Sequence, residues 1–254
     1  MQNGSDAFTP LAEDYAHYRP GYPAEVLDEL ARACGLTPDW VIADIGSGTG
    51  NLARLFLDAG YQVIGVEPNR EMREAGERLL AAYPAFRSLD GAAERIPLAA
   101  QSVDLITVGQ ALHWFDADCA RVEFLRILRH DGWVAVVWND RLRDATAFTQ
   151  EYAALTRTCA DMHPSPCAVS SWNTGLNRLF DTVTPRHTSF PHSQQFDLPG
   201  LLGRARSSGY LPQPGAPGHA ELTTRMTNLF NRHQHDGKVI FHYIAQLYIG
   251  QLPV

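Results

Sequence analysis

The chain has 254 residues, 45% of them hydrophobic and 19% charged, which suits a globular protein with room for a sizeable core. Its net charge of −7 excludes a global pull toward phosphate backbones, and no apolar run approaches the roughly 18 residues of a membrane span. The N-terminal MQNGSDAFTPLAEDYAHYRPGYP is polar and acidic, unlike a signal peptide, and Cys34, Cys119, Cys159 and Cys167 form no C-x-x-C pair, so we expect a cytoplasmic protein with reduced thiols and no nucleic-acid or membrane partner.

In chain order, a leading helix is predicted over Ala24–Cys34 and a first strand over Trp40–Ile45. A helix follows over Asn51–Ala59, ended by Gly60, then a strand over Gln62–Val66. The next helix spans Arg70–Ala82, and a short strand lies at Phe86–Leu89. SVDLITVGQ (Ser102–Gln110) reads as a fully apolar strand. A helix over Ala117–Arg129 stops at Gly132, and WVAVVW (Trp133–Trp138) is another buried strand. Apolar, β-branched runs separated by helices predict a doubly wound, Rossmann-like α/β fold with helices on both faces of a mostly parallel, seven-stranded sheet. Beyond Asn139 the pattern loosens. Helices are expected over Ala145–Ala160 and Trp172–Phe180, separated by the Pro-rich MHPSPCAVSSW. A strand is expected over His187–Phe196, a loop over Ser207–His219 and a helix over Ala220–Asn231. KVIFHYIAQLYIG (Lys238–Gly250) is β-rich and closes the sheet. Of the ten histidines only His233-x-His235 is close-spaced, and no metal centre is expected.

ADIGSGTG places Gly46, Gly48 and Gly50 where the first strand gives way to a helix, at the carboxyl edge of the sheet, where ligands of open α/β sheets bind. Glycine there permits unusual dihedrals and lets a ligand approach the backbone. The dinucleotide pattern G-x-G-x-x-G fails, because Asn51 stands where its third glycine belongs, and no P-loop is present. What remains is D-x-G-x-G-x-G, opened by Asp44. An acid at the end of a buried strand suits a cationic group. Glu67, at the end of the second strand, suits the two hydroxyls of a ribose. S-adenosylmethionine carries an adenosine at one end and a cationic amino-acid head at the other.

On DIGSGTG, GVEPN, DGAAERIPL, SVDLITVGQALHWFD and WVAVVWND, the sequence resembles the class I S-adenosylmethionine-dependent methyltransferases, in the small-molecule branch of type 11 and trans-aconitate methyltransferase-like proteins. YAHYRPGYP, the late GYLP and the terminal YIAQLYIG add to the likeness. The resemblance implies a single domain over 1–254. Residues 1–35 would cover the cofactor, 36–140 bind it, 141–183 form a small helical lid and 184–254 complete the sheet. It implies cofactor contacts from Asp44, Gly46, Gly48, Gly50, Glu67 and Pro68. Ala92 stands where the family often has Asp, leaving Ala93, by its backbone N–H, and Glu94 as adenine contacts. Gln110 is placed at the methionine end, and Tyr15 and Arg19 fold over the cofactor.

His113 is the candidate catalytic residue, as a base for a hydroxyl or a donor to a carboxylate, or else it packs. Trp114 and Phe115 either line the sulfonium by cation–π attraction or belong to the core. Tyr18, His113, Trp114 and Arg206 are the substrate candidates. The expected function is methyl transfer from S-adenosylmethionine, which becomes S-adenosylhomocysteine, to an oxygen of a small carboxylic acid or hydroxyl compound. The alternatives are a cofactor-binding protein without catalysis, or N- or C-methylation of a specialised metabolite. A monomer or homodimer is expected.

Overall fold

The computed structural model describes residues 12–162, 172–209 and 211–253. Residues 1–11, most of the Pro-rich stretch with Cys167, and Tyr210 of the late GYLP lie outside them.

Seven strands form one sheet: β1 (Val41–Ile45), β2 (Gln62–Val66), β3 (Phe86–Leu89), β4 (Val103–Gly109), β5 (Leu128–Arg141), β6 (Arg186–Phe196) and β7 (Val239–Gly250). Their spatial order is β3-β2-β1-β4-β5-β7-β6. Neighbours among the first five strands are parallel, and β7 runs antiparallel to both β5 and β6. The order reverses between β1 and β4, which opens a crevice at the carboxyl edge there.

Both faces of the parallel part are covered, which is why its central strands are largely apolar. Ile42, Val63, Leu105 and Val137 pack with α2 (Glu25–Cys34) and α3 (Asn51–Asp58). Their sequence neighbours Ala43, Ile106 and Val136 pack with α5 (Ala117–Ile127) and α7 (Trp172–Phe180). Two of the carboxyl-edge helices start at capped positions. The Asn69 side chain accepts the Met72 N–H to open α4 (Arg70–Leu79), and Asp116 accepts the N–H groups of Asp118 and Cys119 to open α5.

Most elements lie where the sequence places them, with informative differences. α5 ends at Ile127, because Leu128 already pairs with Val103. β5 continues past Trp138 to Arg141, because β7 pairs with it as far as Arg141↔Tyr243. Two helices escaped the sequence reading: α1 (Ala12–Tyr18) and α8 (Leu198–Arg206). In α8, Pro199, Gly200 and Gly203 obscure the helical signal. Its start was legible: Asp197 accepts the Gly200 N–H at 2.8 Å, and proline is tolerated in a first turn.

A helical cap sits beyond the carboxyl edge. α6 (Ala147–Met162), α8 and α9 (His219–His233) enclose Tyr152, Leu201, Met226 and Phe241. Of the two helices expected in 141–183, only α6 belongs to this cap. The apolar face of α7, with Leu176, Leu179 and Phe180, packs with the core of α5 instead. α1 touches both α4 and α8, and so bridges the sheet domain and the cap.

Candidate functional site

A cavity of about 570 Å³ opens at the reversal of strand order, between the sheet edge, the cap and the N-terminal segment. Of the residues expected at the site, Tyr15, Arg19, Asp44, Gly46, Gly48, Glu67, Pro68, Gln110, His113 and Trp114 line it.

The loop after β1 is anchored by Gly46 and Ser47, whose N–H groups donate to the Val66 carbonyl at 2.8 and 3.2 Å. Gly46, Gly48 and Gly50 are all left-handed. At Gly46 a Cβ would meet Ala111 Cβ at 2.6 Å, so its glycine lets the segment after β4 pass close by. At Gly48 a Cβ would meet only Met72 Cε, at 3.4 Å, so the space above that backbone is open to a ligand.

Asp44 ends β1 at 1% exposure. Its Oδ1 accepts the Thr107 hydroxyl at 3.1 Å, and its Oδ2 has no hydrogen-bond partner among the described residues. Burial pushes its carboxyl up to about 7 against the opposing Thr107 bond. Glu67 ends β2 at 8% exposure. Its Oε2 accepts the Gly48 N–H and its Oε1 the Asn69 N–H, both at 2.9 Å. Burial raises its pKa, and these two bonds and Arg73 partly offset that. Two acids therefore flank one glycine loop, each with acceptor capacity left.

Gln110 directly follows β4 with φ 57°, uncommon for a residue with a side chain and a mark of local strain. Its amide donates to the Asn139 carbonyl at 3.0 Å. Asn139 in turn donates to the Gly21 carbonyl and pairs with His192, joining β5, β6 and the N-terminal segment. The next residues form a single 3₁₀ turn, Leu112–Trp114. In it the His113 ring packs at 4.5 Å from Trp114 and 5.2 Å from Trp138, and Trp138 stacks on Trp172. Burial pushes the imidazole down to about 4.

Five expected contacts do not line the cavity. Gly50 opens α3, where a Cβ would strike Leu80 Cδ1 at 2.5 Å, so it serves packing. Ala93 is buried in the core around α5, and Glu94 accepts the Asp116 N–H at 2.8 Å, bracing the start of α5. Tyr18 lies against Gly203 of α8, and Arg206 pairs with Asp14 at 2.8 Å, tying α8 to α1.

The structure adds residues the sequence reading missed. Trp138 and Asn139 follow Val137, which pairs with the last residue of β4, so the strand-end rule applied to Gln110 reaches them too. Arg141 ends the extension of β5, Tyr22, Arg204 and Tyr243 arrive from elsewhere in the chain, and none of the four carries a local signal.

A family profile described as a methyltransferase domain matches residues 43–136. An uncharacterized methyltransferase of Mycobacterium tuberculosis is 40% identical over 127 residues, covering 50% of this chain and 49% of that one. The chain thus spans about half the length of the first curated relatives it matches. An uncharacterized methyltransferase of Geobacillus kaustophilus is 30% identical over 154 residues, 57% of this chain and 70% of that one. Among solved structures, one assigned to the type II methyltransferases, from Anaeromyxobacter dehalogenans, shares the fold with a TM-score of 0.69. It is 20% identical, and the match covers 93% of this chain and 100% of that one.

Proposed function

The chain belongs to the class I S-adenosylmethionine-dependent methyltransferases, and from that premise we propose that it methylates an oxygen of a small molecule, a carboxylate or a hydroxyl. The observation that carries this reading is the pair of buried acids, Asp44 and Glu67, facing one cavity across Gly48. The donor fits these residues. Asp44 Oδ2, without a partner among the described residues, suits an ammonium group, and each Glu67 oxygen keeps a lone pair for a ribose hydroxyl. The open space at Gly48 admits a ligand to the backbone.

When bound, S-adenosylmethionine supplies a methyl carbon on a sulfonium, which an acceptor oxygen displaces in line while the sulfur keeps the electron pair of the broken bond. The chain's own residues hold and align the reactants, which contributes at most roughly 7–11 kcal/mol. His113, Trp114 and Trp138 line the cavity beside Gln110 and give that part of it an aromatic wall. With its pKa near 4, the His113 imidazole is neutral at pH 7 and a weak base. That favours a carboxylate acceptor, which is already ionised and has no proton to lose. His113 then orients the acceptor. For a hydroxyl it would instead take the proton on a ring nitrogen.

The cavity volume supports a small acceptor, and the charge of −7 gives no support to a nucleic-acid one. The free thiols of Cys34 and Cys119 support a cytoplasmic setting. Among the described residues no helix is long and apolar enough to cross a membrane. The reading is tested by incubating the protein with S-adenosylmethionine and a panel of small acids and alcohols, then searching by mass spectrometry for S-adenosylhomocysteine and an O-methylated product. Tight S-adenosylhomocysteine binding without product from any acceptor would replace it with a non-catalytic role.

A further inference from the structure

Besides the two acids, the cavity is lined by cations from β5 and α8. Along the carboxyl edge, β2 with Glu67 and β5 with Arg141 are three strand spacings apart, about 14 Å at 4.8 Å per spacing. Arg141 pairs across the ladder with Tyr243, and both line the cavity. The Arg141 guanidinium lies 5.0 Å from the ring centre of Tyr152 and 5.9 Å from that of Phe241. Both rings are fully buried, so the guanidinium rests against a fixed aromatic surface. No carboxylate pairs with it among the described residues. Asp140, next in sequence, instead accepts the Gln246 amide at 3.1 Å. The Tyr243 hydroxyl has no hydrogen-bond partner among the described residues although its side chain is 2% exposed. Its ring stacks on His192 at 5.2 Å, which sets its direction. Arg204, 5% exposed, adds a second buried cation to the same cavity.

A guanidinium without an acid and a buried hydroxyl without an acceptor among the described residues are both relieved by one anion. We infer that Arg141 and Tyr243 form an anchoring subsite for a carboxylate of the methyl acceptor, one that is not itself methylated. The acceptor is then a small organic acid with a second oxygen function. The anchored carboxylate lies on Arg141, and the reacting oxygen points back across β5 toward His113. This inference rests on the methyltransferase reading for the identity of the occupant, but the anion site stands on its own geometry.

The test uses calorimetry on the full chain, with S-adenosylhomocysteine as one probe and succinate, its neutral diamide and inorganic phosphate as the others. We expect succinate to bind the S-adenosylhomocysteine complex about tenfold or more tightly than the diamide, and more tightly than phosphate. Arg141→Gln should weaken succinate by about tenfold while leaving S-adenosylhomocysteine affinity unchanged. Tyr243→Phe should weaken it by a smaller factor, and this comparison decides if Arg141→Gln fails to fold. Equal binding of succinate and its diamide, or succinate binding indifferent to both substitutions, overturns the anchor. Phosphate binding more tightly than succinate overturns its assignment to a carboxylate. Failure of S-adenosylhomocysteine to bind strikes the donor reading instead, and an Arg141-dependent succinate signal would survive it.

Discussion

With its carboxyl pushed up to about 7 by burial, Asp44 is about half protonated at neutral pH in the ligand-free protein. A carboxyl raised above its unfolded value near 3.9 contributes stability that is fully present below that value and is lost as pH rises through about 7. An ammonium partner favours the ionised form, so ligand binding releases a proton below pH 7. S-adenosylhomocysteine affinity should therefore rise with pH from about 5.5 to 7, by at most about tenfold per unit. Calorimetry of Asp44→Asn should show weaker binding and a flatter slope; an unchanged slope would assign the proton elsewhere. Glu67 has a double role. Glu67→Ala removes a ribose partner and also leaves the Gly48 and Asn69 N–H groups without their acceptor, at roughly 1–3 kcal/mol each where water cannot replace it. Binding and melting temperature should both fall, whereas the sequence alone suggested binding only. At His113 the sign is opposite to that at Asp44. Its folded pKa near 4 lies below the unfolded value near 6.5, so its stability contribution is present above 6.5 and is lost as pH falls through 4. With a carboxylate acceptor His113→Gln should raise KM and largely spare kcat. With a hydroxyl acceptor kcat should drop roughly 10²–10⁴-fold. Wild-type kinetics in this variant would leave His113 as a packing residue.

Within the elements, three glycines that look alike in sequence do different work. Gly48→Val meets open space on the protein side, so it should fold at a cost of about 1–2 kcal/mol for its left-handed backbone and lose S-adenosylhomocysteine binding. Gly46→Ala meets Ala111 and must displace the turn that carries His113, so its first effect should be a lower melting temperature. Unchanged affinity in Gly48→Val, measured beside a destabilised Gly46→Ala, would put the ligand somewhere other than this loop. In α8, a Cβ at Gly203 would fall 2.1 Å from a Tyr18 ring atom. Gly203→Ala should therefore loosen the α1–α8 packing and weaken cofactor binding without touching the glycine loop. Native stability and binding in that variant would mean that Tyr18 can move aside at no cost.

Across the whole molecule, closure of the cavity depends on contacts between chain ends. Arg206 reaches Asp14, Arg19 donates to the Ser207 carbonyl at 2.7 Å, and Gln194 donates to the Tyr18 carbonyl at 3.3 Å. These bonds hold α1 and its following turn over residues that line the site. A ligand beneath them should stabilise the closed arrangement by mass action, about 2.7 kcal/mol at a hundredfold excess over Kd. Hydrogen exchange with S-adenosylhomocysteine bound should slow in residues 12–22 and in α8 as well as in the glycine loop. Slowing confined to the loop would show that the N-terminal segment does not close over the ligand.

Periodicity and strand-end chemistry made the parallel half of the sheet, the glycine loop, Asp44, Glu67 and the cavity residues after β4 legible in the sequence. The reason is local: an apolar run encodes a strand buried on both faces, and a glycine or acid at its end lies at the edge where ligands bind. Other features had no such signal. Glu94 and Arg206 carry the right chemistry for a site, yet Asp116 engages one and Asp14 the other. Arg141 and Tyr243 look like ordinary strand residues until β7, inserted antiparallel between β5 and β6, sets them side by side. The cap likewise draws α8 and α9 together with α6 around Tyr152 and Phe241. Local pattern dictates which way each side chain faces; only the order and direction of the strands decide which distant charges meet.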